Sequence, residues 1–329
     1  MRTAIIGASH WHAPRQAAAF RAAGCRIVAA SDPDPGAAAA LGQSDEVAPF
    51  RDHQRLLASE EVELAVVLGT PLEMPQYVLD ALAAGCAVAV EKPLARDAQS
   101  LEPVVSAARG RFVAVALANR YSGLWDEVHA VERAGRAGHR RHASFRLLNG
   151  LPERYERDGV PWVLDPRVSG GGALRNLGIH GVDAFLQFSS GDEVSVEDVS
   201  LAGGASSLVE EHAVLTLRSR NGLSGTVEAG YTFPTLADGG DYEWRVSTGN
   251  TYFLERALPG RNATLEVFTL DEEPRLAPTT PLAGRYDAFA RDVVESLKAG
   301  RAPRATLEDL HRAMAVIDEA YALAGRASC

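Results

Sequence analysis

Cysteine is scarce in this sequence: its 329 residues include only Cys25, Cys86 and Cys329, and no two of them form a CxxC pair. A disulfide framework or a zinc site needs more thiols at closer spacing, so neither is expected, and a reducing, cytoplasmic environment is predicted. The sequence also lacks a charged-then-apolar leader and any apolar run long enough to cross a bilayer. We therefore expect no signal peptide and no membrane anchor.

Positive charge is also in deficit. Lysine and arginine total 33 against 43 aspartates and glutamates, a formal net charge of -10. This balance argues against nucleic acid as a partner, although a few local cations can still hold a small anionic ligand. The remaining composition, 46% hydrophobic and 23% charged, is typical of a globular protein, and the length predicts two domains or one large one.

Two regions with different patterns follow each other along the chain. From residue 1 to about 118, five short β-branched runs alternate with Ala-rich helical stretches, which predicts a doubly wound parallel sheet of the Rossmann type in an α/β protein. After Asn119, seven strand-like segments between helical ones predict a C-terminal α+β domain with a large, mostly antiparallel open sheet. We assign residues 1–118 to dinucleotide binding and 119–329 to substrate binding and oligomerisation. Because one face of an open sheet needs cover, a homodimer or homotetramer is expected.

The turn after the first strand reads GASHWH, at residues 7 to 12. A G-x-G-x-x-G fingerprint would place glycines at 7, 9 and 12; only Gly7 is retained, with Ser9 and His12 in the other two places. If this turn approaches a pyrophosphate, His10, Trp11 and His12 face the cofactor; the alternative is an ordinary tight turn. No carboxylate or cysteine completes a ligand set with the histidines, so no metal is expected.

Asp32 ends the second strand about 25 residues after Gly7. A carboxylate here can accept hydrogen bonds from the adenosine ribose hydroxyls and would repel a 2′-phosphate. Pro33 and Asp34, which follow, supply no cation. The sequence therefore favours NAD(H) without excluding NADP(H). The alternative is a loop aspartate that begins the turn before Pro33.

Residues 68–95 carry a more specific pattern: a Thr-Pro pair after the fourth strand, an Ala-rich helix, and a strand that ends in Glu-Lys-Pro. NRYSGLWDEV at 119–128, PWVLDPRVSGGGALRNLGIHGVD at 161–183 and GRAPRATLEDLHRAMAVIDEAYALAG at 300–325 continue it in order. In these segments the chain resembles the Gfo/Idh/MocA oxidoreductase family. The resemblance implies a Rossmann domain, a second domain with an open sheet, and hydride transfer between a nicotinamide and a sugar-like alcohol or cyclitol.

The resemblance also points to individual residues. Besides the turn residues and Asp32, it implies cofactor contacts at Thr70, Pro71, Glu91, Lys92 and Asn119. The family histidine falls on His180, and the position of the family aspartate holds Asn176. Two further positions depart from the family pattern, Leu72 and Pro75.

Oxidation of a secondary alcohol needs a base for the hydroxyl proton and a group that stabilises the developing alkoxide. Lys92, at the carboxyl end of a parallel strand, can orient the hydroxyl and supply positive charge. The alternative is a solvated surface lysine paired with Glu91.

Asn176 and His180 are four residues apart, so on one helix they share a face, roughly 5 to 6 Å apart at Cβ. Asn176 cannot take a proton, which leaves His180, an imidazole with an ordinary pKa of about 6.5, as the general acid and base. Asn176 then positions the substrate hydroxyl or the imidazole. The glycines at 170–172 let the chain pass tightly before that helix. The alternative is a flexible hinge beside a hydrogen-bonded core histidine.

Softer candidates for substrate contact follow the last Rossmann strand and flank the glycine run: Arg120, Tyr121, Trp162 and Arg175. Tyr121 combines an aromatic face with a hydroxyl, which suits a sugar, and Arg175 can bind a carboxylate or phosphate. Packing or surface pairing is the alternative for each.

Three functions fit these observations. The leading one is an NAD(H)-dependent dehydrogenase or reductase acting on a sugar, amino sugar, cyclitol or related polyol. The second is a regulatory protein of the same fold that binds dinucleotide or sugar without turnover. The third is an NAD-retaining lyase or glycosidase that uses transient oxidation.

Overall fold

The computed structural model describes residues 1–41, 47–204, 207–237 and 239–327. Packing divides the chain into two compact units. The first comprises residues 1–118, 168–170 and 284–311, and the second comprises 119–167, 171–283 and the segment from Arg312 onward.

The first unit holds a six-stranded sheet with the spatial order β3-β2-β1-β4-β5-β6. Its strands, in chain order, are β1 (Arg2–Ile6), β2 (Arg26–Ser31), β3 (Ala48–Phe50), β4 (Leu64–Val67), β5 (Ala87–Val90) and β6 (Val113–Val115). All neighbours pair in parallel. The Rossmann-type parallel sheet is therefore confirmed. The sequence reading missed β3, a three-residue edge strand that contains Pro49; proline lacks an N–H and is tolerated at a sheet edge.

The second unit holds an eight-stranded sheet with the order β14-β13-β12-β11-β7-β10-β9-β8. Its strands are β7 (Arg140–Gly150), β8 (Val194–Ala202), β9 (His212–Ser219), β10 (Ser224–Phe233), β11 (Gly240–Thr248), β12 (Thr251–Ala257), β13 (Thr264–Thr269) and β14 (Arg275–Ala277). Only β7 and β10 pair in parallel among these described neighbours. The predicted mostly antiparallel open sheet is thus confirmed. The sequence analysis did not predict β14, which lies at the edge of the sheet.

Eleven α-helices accompany the two sheets in the described ranges. They are α1 (Ala13–Ala22), α2 (Pro35–Ala40), α3 (His53–Ser59), α4 (Met74–Ala83), α5 (Ala98–Ala107), α6 (Leu124–Arg133), α7 (Glu153–Arg157), α8 (Pro166–Ser169), α9 (Ile179–Phe188), α10 (Arg285–Ala299) and α11 (Leu307–Ala327).

The C-terminal segment 284–311 packs with the first unit, whereas the sequence prediction assigned all of 119–329 to a second domain. The reason is apolar packing combined with strand pairing. Phe20 of α1 and Phe289 of α10 are fully buried and meet edge to face, with ring centroids 6.1 Å apart. The Val115 N–H at β6 donates to the Ala305 carbonyl at 3.1 Å. This segment therefore completes the first unit.

The half-exposed face of the second sheet carries charge. Arg146 on β7 contacts Glu228 on β10 at 2.7 Å and Asp241 on β11 at 3.5 Å. Along each of these strands such side chains alternate with buried ones. Because paired charges can face water, this part of the sheet needs no apolar cover, and the predicted dimer or tetramer stays a prediction.

Within the described ranges, no helix combines the length and apolar character that crossing a bilayer requires. The same residues contain no group of three or more His, Cys, Asp or Glu side chains placed to hold a metal ion.

Candidate active site

Gly7 begins the turn between β1 and α1 with a φ of 84°. A Cβ atom at this position would lie 2.1 Å from the Leu68 carbonyl oxygen. The N–H groups of Gly7 and Ala8 both donate to the Ser31 carbonyl, at 2.9 and 3.2 Å. The left-handed backbone and the close approach therefore require glycine at the first fingerprint position.

His10 and Trp11 stabilise this turn from within. Their rings stack with centroids 4.1 Å apart. The Nδ1 atom of His10 accepts the His12 backbone N–H at 3.1 Å. Burial lowers the pKa of His10 to about 3. The neighbouring His12 and Lys92 also lower it, and Glu91 opposes the shift. His10 is thus neutral, and its Nδ1 can accept a hydrogen bond. The His10 side chain therefore supports a turn that lacks two of the fingerprint glycines.

Asp32 is 4% exposed and connects the end of β2 to the same turn. Its Oδ2 accepts the Ser9 N–H at 2.7 Å, and its Oδ1 accepts the Asp34 N–H at 2.9 Å. The bond from Asp34 is a local turn contact, as expected for a loop aspartate before Pro33. The bond from Ser9 places the carboxylate beside the glycine turn. Each carboxylate oxygen has a further lone pair, which suits a ribose hydroxyl.

Glu91 follows the carboxyl end of β5, and its carboxylate is turned into the first unit. It is 1% exposed and accepts from Gln16 Nε2 at 2.9 Å, and its Oε1 lies 3.1 Å from His12 Nδ1. Burial raises the pKa of this carboxyl, but His12, His10 and Lys92 outweigh that effect and hold it well below its usual range. Glu91 is therefore an anion that organises His12, and its own contact with a cofactor stays a prediction.

Lys92 is joined to Pro93 by a cis peptide bond and is 8% exposed. Burial lowers the pKa of its ammonium to about 8, against the opposing charge of Glu91. The alternative of a solvated surface lysine is therefore wrong. An ammonium that titrates near neutral pH suits a functional site.

The other residues expected on the cofactor side have local contacts. Thr70 Oγ1 donates to Glu73 Oε2 at 2.7 Å, at the start of α4. Pro71 is buried. Asn119 is 8% exposed, and its carbonyl accepts the Ser122 N–H at 3.3 Å.

In the second unit, the last two glycines of the run are sites of close approach. A Cβ at Gly171 would lie 2.1 Å from the Tyr321 hydroxyl oxygen, and one at Gly172 would lie 2.1 Å from the Glu210 carbonyl. The Glu210 carboxylate accepts the Gly172 N–H at 3.0 Å, the Leu174 N–H at 2.9 Å and the Tyr321 hydroxyl at 2.7 Å. The run is thus held by Glu210 at a helix start, where an anion is favoured, and is not a loose hinge.

The segment after the glycines begins as a π turn, Leu174–Gly178, and continues as α9. Asn176 lies in the π turn, and His180, 8% exposed, lies in the first turn of α9. The 5 to 6 Å separation expected above assumed regular α-helical geometry and does not carry over to a π turn. Single π turns inside helices occur frequently at functional sites.

Two tyrosines meet the Asn176 side chain. Its Nδ2 donates to the Tyr231 hydroxyl at 3.0 Å and to the Tyr155 hydroxyl at 3.3 Å. The tyrosine rings are edge to face, with centroids 4.9 Å apart. Burial raises the pKa of Tyr231 well above 10. Asn176 and Tyr231 are therefore neutral across the working pH range.

Arg120 forms a buried two-pronged ion pair with Asp183, which lies three residues after His180. Nε of Arg120 donates to Oδ2 at 2.9 Å, and Nη2 donates to Oδ1 at 2.5 Å. Gln187 Nε2 adds a third bond to Asp183 at 3.1 Å. This pairing anchors α9, and direct substrate contact by Arg120 stays a prediction.

Arg175 is likewise paired inside its unit. It is 2% exposed, forms an ion pair with Asp318 of α11, and lies 5.3 Å from the centre of the Tyr321 ring. Tyr121 is 6% exposed, and Trp162 is half-buried in the short 3-10 helix Pro161–Leu164. Substrate contact by these three residues stays a prediction.

Sequence reasoning missed several residues that the fold brings to these groups: Tyr155, Asp183, Glu210, Tyr231 and Tyr286. Asp183 carried a signal, because it follows His180 within one helical turn of the recognised motif. Glu210 and Tyr231 carried none, since each reaches its partner through sheet topology.

The first unit fits a dinucleotide. It offers a glycine turn that a Cβ would block, a carboxylate at the end of β2, and the start of helix α1 directly after the turn. These are the features by which a Rossmann unit holds the pyrophosphate and the ribose.

Comparison with known proteins agrees with this geometry. Residues 1–118 match the oxidoreductase family model with an NAD-binding Rossmann fold, GFO_IDH_MocA, and residues 125–247 match the Gfo/Idh/MocA C-terminal domain. Inositol 2-dehydrogenase of Pseudomonas fluorescens is 29% identical over 285 residues, which cover 84% of this chain and 80% of that protein.

Two solved structures are similar across almost the whole chain. Levoglucosan dehydrogenase in complex with NADH and levoglucosan has a TM-score of 0.86 at 14% identity, covering 99% of this chain and 97% of that one. An oxidoreductase from Agrobacterium radiobacter in complex with NAD+, L-tartaric acid and magnesium has a TM-score of 0.84 at 18% identity, covering 99% and 96%. At these identities the two structures show a shared fold. The two family models together span most of the chain and show its family. The chain belongs to the Gfo/Idh/MocA oxidoreductase family.

Proposed function

We propose that this protein transfers a hydride between NAD(H) and a secondary alcohol or ketone of a sugar, amino sugar or cyclitol. The observation that carries the proposal is Lys92, a buried ammonium with a pKa of about 8 at the carboxyl end of β5. Its unit has the features that hold a dinucleotide. A bound nicotinamide would supply the hydride acceptor or donor.

Lys92 orients the reacting hydroxyl and stabilises the negative charge that develops on its oxygen, because an ammonium in a low-dielectric site interacts strongly with an alkoxide. His180 takes the hydroxyl proton in oxidation and returns it in reduction. Asn176, held by Tyr155 and Tyr231, aligns the substrate and contributes no charge.

The substrate class rests on the relatives. Inositol 2-dehydrogenase and levoglucosan dehydrogenase are named for a cyclitol and an anhydrosugar. Both names point to ring compounds that carry several hydroxyl groups. A panel of cyclitols, sugars and anhydrosugars is therefore the first set to screen.

Asn176→Asp is expected to move the acidic limb of the pH–rate profile upward. A carboxylate between the Tyr155 and Tyr231 hydroxyls would favour the protonated His180 imidazole, so the base would be lost at a higher pH. The measurement is kcat/KM against pH for both proteins. Asp198→Asn, a charge change in the same unit but on an exposed residue, is the control. An acidic limb that stays in place would remove this role for position 176.

Calorimetric titration of cofactor-stripped protein with NADH and NADPH tests the proposal itself. NADH is expected to bind more tightly than NADPH, and Asp32→Ala should weaken NADH binding by about tenfold or more, since a hydrogen bond to a charged group contributes about 1.5–3 kcal/mol. The same variant should reduce the ratio of NADH affinity to NADPH affinity, because the carboxylate that repels a 2′-phosphate has been removed.

Failure of both dinucleotides to bind would defeat the proposal. Tight NADH binding without turnover on any polyol would favour the regulatory protein. Product formation with no net production or consumption of NADH, by protein that retains its bound cofactor, would favour the lyase or glycosidase.

A further inference from the structure

Tyr77 lies in the first turn of α4, the helix that follows β4. Its ring packs against Gly69, which has a φ of 145°; a Cβ there would lie only 3.2 Å from Tyr77 Cε2. Gly69 in turn borders the glycine turn, since a Cβ on Gly7 would lie 3.2 Å from the Gly69 nitrogen. Because Cε2 adjoins the carbon that bears the hydroxyl, the polar end of the Tyr77 ring lies beside the turn expected to receive the dinucleotide.

His53, at the start of α3, holds the Tyr77 ring in place. The two rings are tilted at 54°, with centroids 4.6 Å apart. His53 is itself fixed by Asp80, whose Oδ2 lies 2.7 Å from His53 Nε2. Gln54 and Gln76 donate to the same carboxylate at 3.0 and 2.8 Å. The Tyr77 ring is therefore positioned before any ligand binds, which lowers the entropy that binding must cost.

The hydroxyl of Tyr77 lies in acidic surroundings. Burial, followed by the carboxylates of Glu73, Asp32 and Asp52, raises the pKa of Tyr77 to about 12. These three acids follow β4, β2 and β3 along the chain, at the sheet edge where Rossmann units bind their ligands. The phenol is therefore protonated at neutral pH and can donate a hydrogen bond. Across the part of the chain that the structure describes, its hydroxyl has no hydrogen-bond partner.

We propose that Tyr77 is a further binding residue for the adenosine half of NAD(H): its hydroxyl donates to the ribose 2′-oxygen, and the 2′-hydroxyl donates to Asp32. The inference rests on the cofactor site of the proposed function and deepens it. Asp32 Oδ2 already accepts the Ser9 N–H at 2.7 Å and keeps a lone pair for the ribose. Tyr77 then supplies the donor that the oxygen of the same ribose hydroxyl requires.

Only a hydroxyl at the 2′ position can use both partners, since it accepts from one and donates to the other. A hydrogen atom there does neither. A 2′-phosphate has no proton for Asp32 at neutral pH and is repelled by Asp52 and Glu73 as well, so the preference for NAD(H) depends on more than one carboxylate. The alternative role for Tyr77 is packing alone, which the ring provides without its hydroxyl.

The test measures NADH binding to the full chain by fluorescence, and then the displacement of NADH by ADP and by 2′-deoxy-ADP. Tyr77→Phe keeps the ring against Gly69 and His53 and removes the hydroxyl. It should weaken NADH and ADP by about threefold to tenfold, the effect of one hydrogen bond between neutral groups. The affinity for 2′-deoxy-ADP should not change, because this ligand lacks the oxygen that Tyr77 contacts.

Tyr252→Phe removes the hydroxyl of an exposed tyrosine on β12 and is the matched control, with no change expected for any of the three ligands. Thermal melting compares the folding of both variants with wild type. If Tyr77→Phe is less stable, the ratio of ADP to 2′-deoxy-ADP affinity still reports the hydroxyl, because a loss of folded protein affects both ligands alike.

The same ratio of ADP to 2′-deoxy-ADP affinity in Tyr77→Phe and wild type would overturn this inference and leave the proposed function standing. A wild-type chain that binds neither NADH nor NADPH would defeat both together. A chain that binds NADH without turnover would count against the dehydrogenase alone, and a ratio that falls in Tyr77→Phe would still support the role of Tyr77.

Discussion

Lys92→Met is expected to lower kcat/KM for alcohol oxidation by roughly 10²–10⁴-fold, because it removes the positive charge that stabilises the developing alkoxide. The replacement keeps the length of the side chain and removes a buried ammonium, which is 8% exposed. Folding should persist, whereas any loss of NADH binding would measure the cofactor contact expected of Lys92. Steady-state kinetics, NADH titration and thermal melting measure the three properties.

The pH dependence gives the same prediction a second readout. Burial lowers the Lys92 pKa to about 8, so its ammonium is charged below that pH and neutral above it. Any step that needs the cation therefore weakens as pH rises through about 8. Lys92→Arg stays charged and should lose this basic limb, whatever its absolute rate.

The composition makes the titration directly observable. Lys92 and Lys298 are the only lysines in the sequence. Isotopic labelling of lysine side chains therefore gives two signals, which Lys298→Met assigns by difference. Lys298 is exposed, so the same variant is also the kinetic control. A Lys92 signal that stays charged well above pH 8, or full activity in Lys92→Met, would contradict the assigned role.

Asp183→Ala is expected to destabilise the protein by about 3–5 kcal/mol, because it leaves the buried Arg120 guanidinium without its carboxylate. Arg120 and Asp183 have side-chain exposures of only 7% and 4%, so solvent screens this pair little. Denaturant unfolding measures the loss. A fall in kcat should accompany it, since Asp183 lies on α9 with His180.

A double variant separates charge from packing. Arg120→Met with Asp183→Leu removes both charges and should recover a large part of the stability lost in Asp183→Ala. Arg220→Ala removes an exposed pair with Glu193, whose side chains are 76% and 74% exposed, and should have no measurable effect. Equal effects of Arg220→Ala and Asp183→Ala would contradict this account of the buried pair.

The sequence predicted the interior of both sheets and missed strands at their edges. β-branched runs and alternating patterns mark strands whose side chains are buried, and these runs correctly located the other strands. The strands β3 and β14 have three residues each and lie at the ends of their sheets. The strand β6 is equally short, but it lies within the apolar run FVAVALAN, whereas proline and charged residues flank β3 and β14 and leave no period.

The site was predictable where motifs are local. Asp32, Lys92 and His180 were selected from residues within a few positions of a recognised pattern. Their partners were harder: Tyr231 reaches Asn176 across 55 positions, and Glu210 reaches Gly172 across 38. Such contacts are fixed by strand order and by the path of the chain, and no periodicity in one sequence encodes them. The π turn was missed for a related reason, because its sequence is equally compatible with an α-helix.

The pairing of β6 with the C-terminal segment has a consequence for synthesis on the ribosome. The Val115 N–H finds its acceptor at Ala305, and Ala114 forms an antiparallel bridge with Thr306. The N-terminal nucleotide-binding fold is therefore unfinished when its own six strands have emerged, and until residue 306 is made the edge of β6 presents unpaired backbone groups to other nascent chains. Closure of this fold therefore waits for a segment that is translated after all the strands of the second sheet.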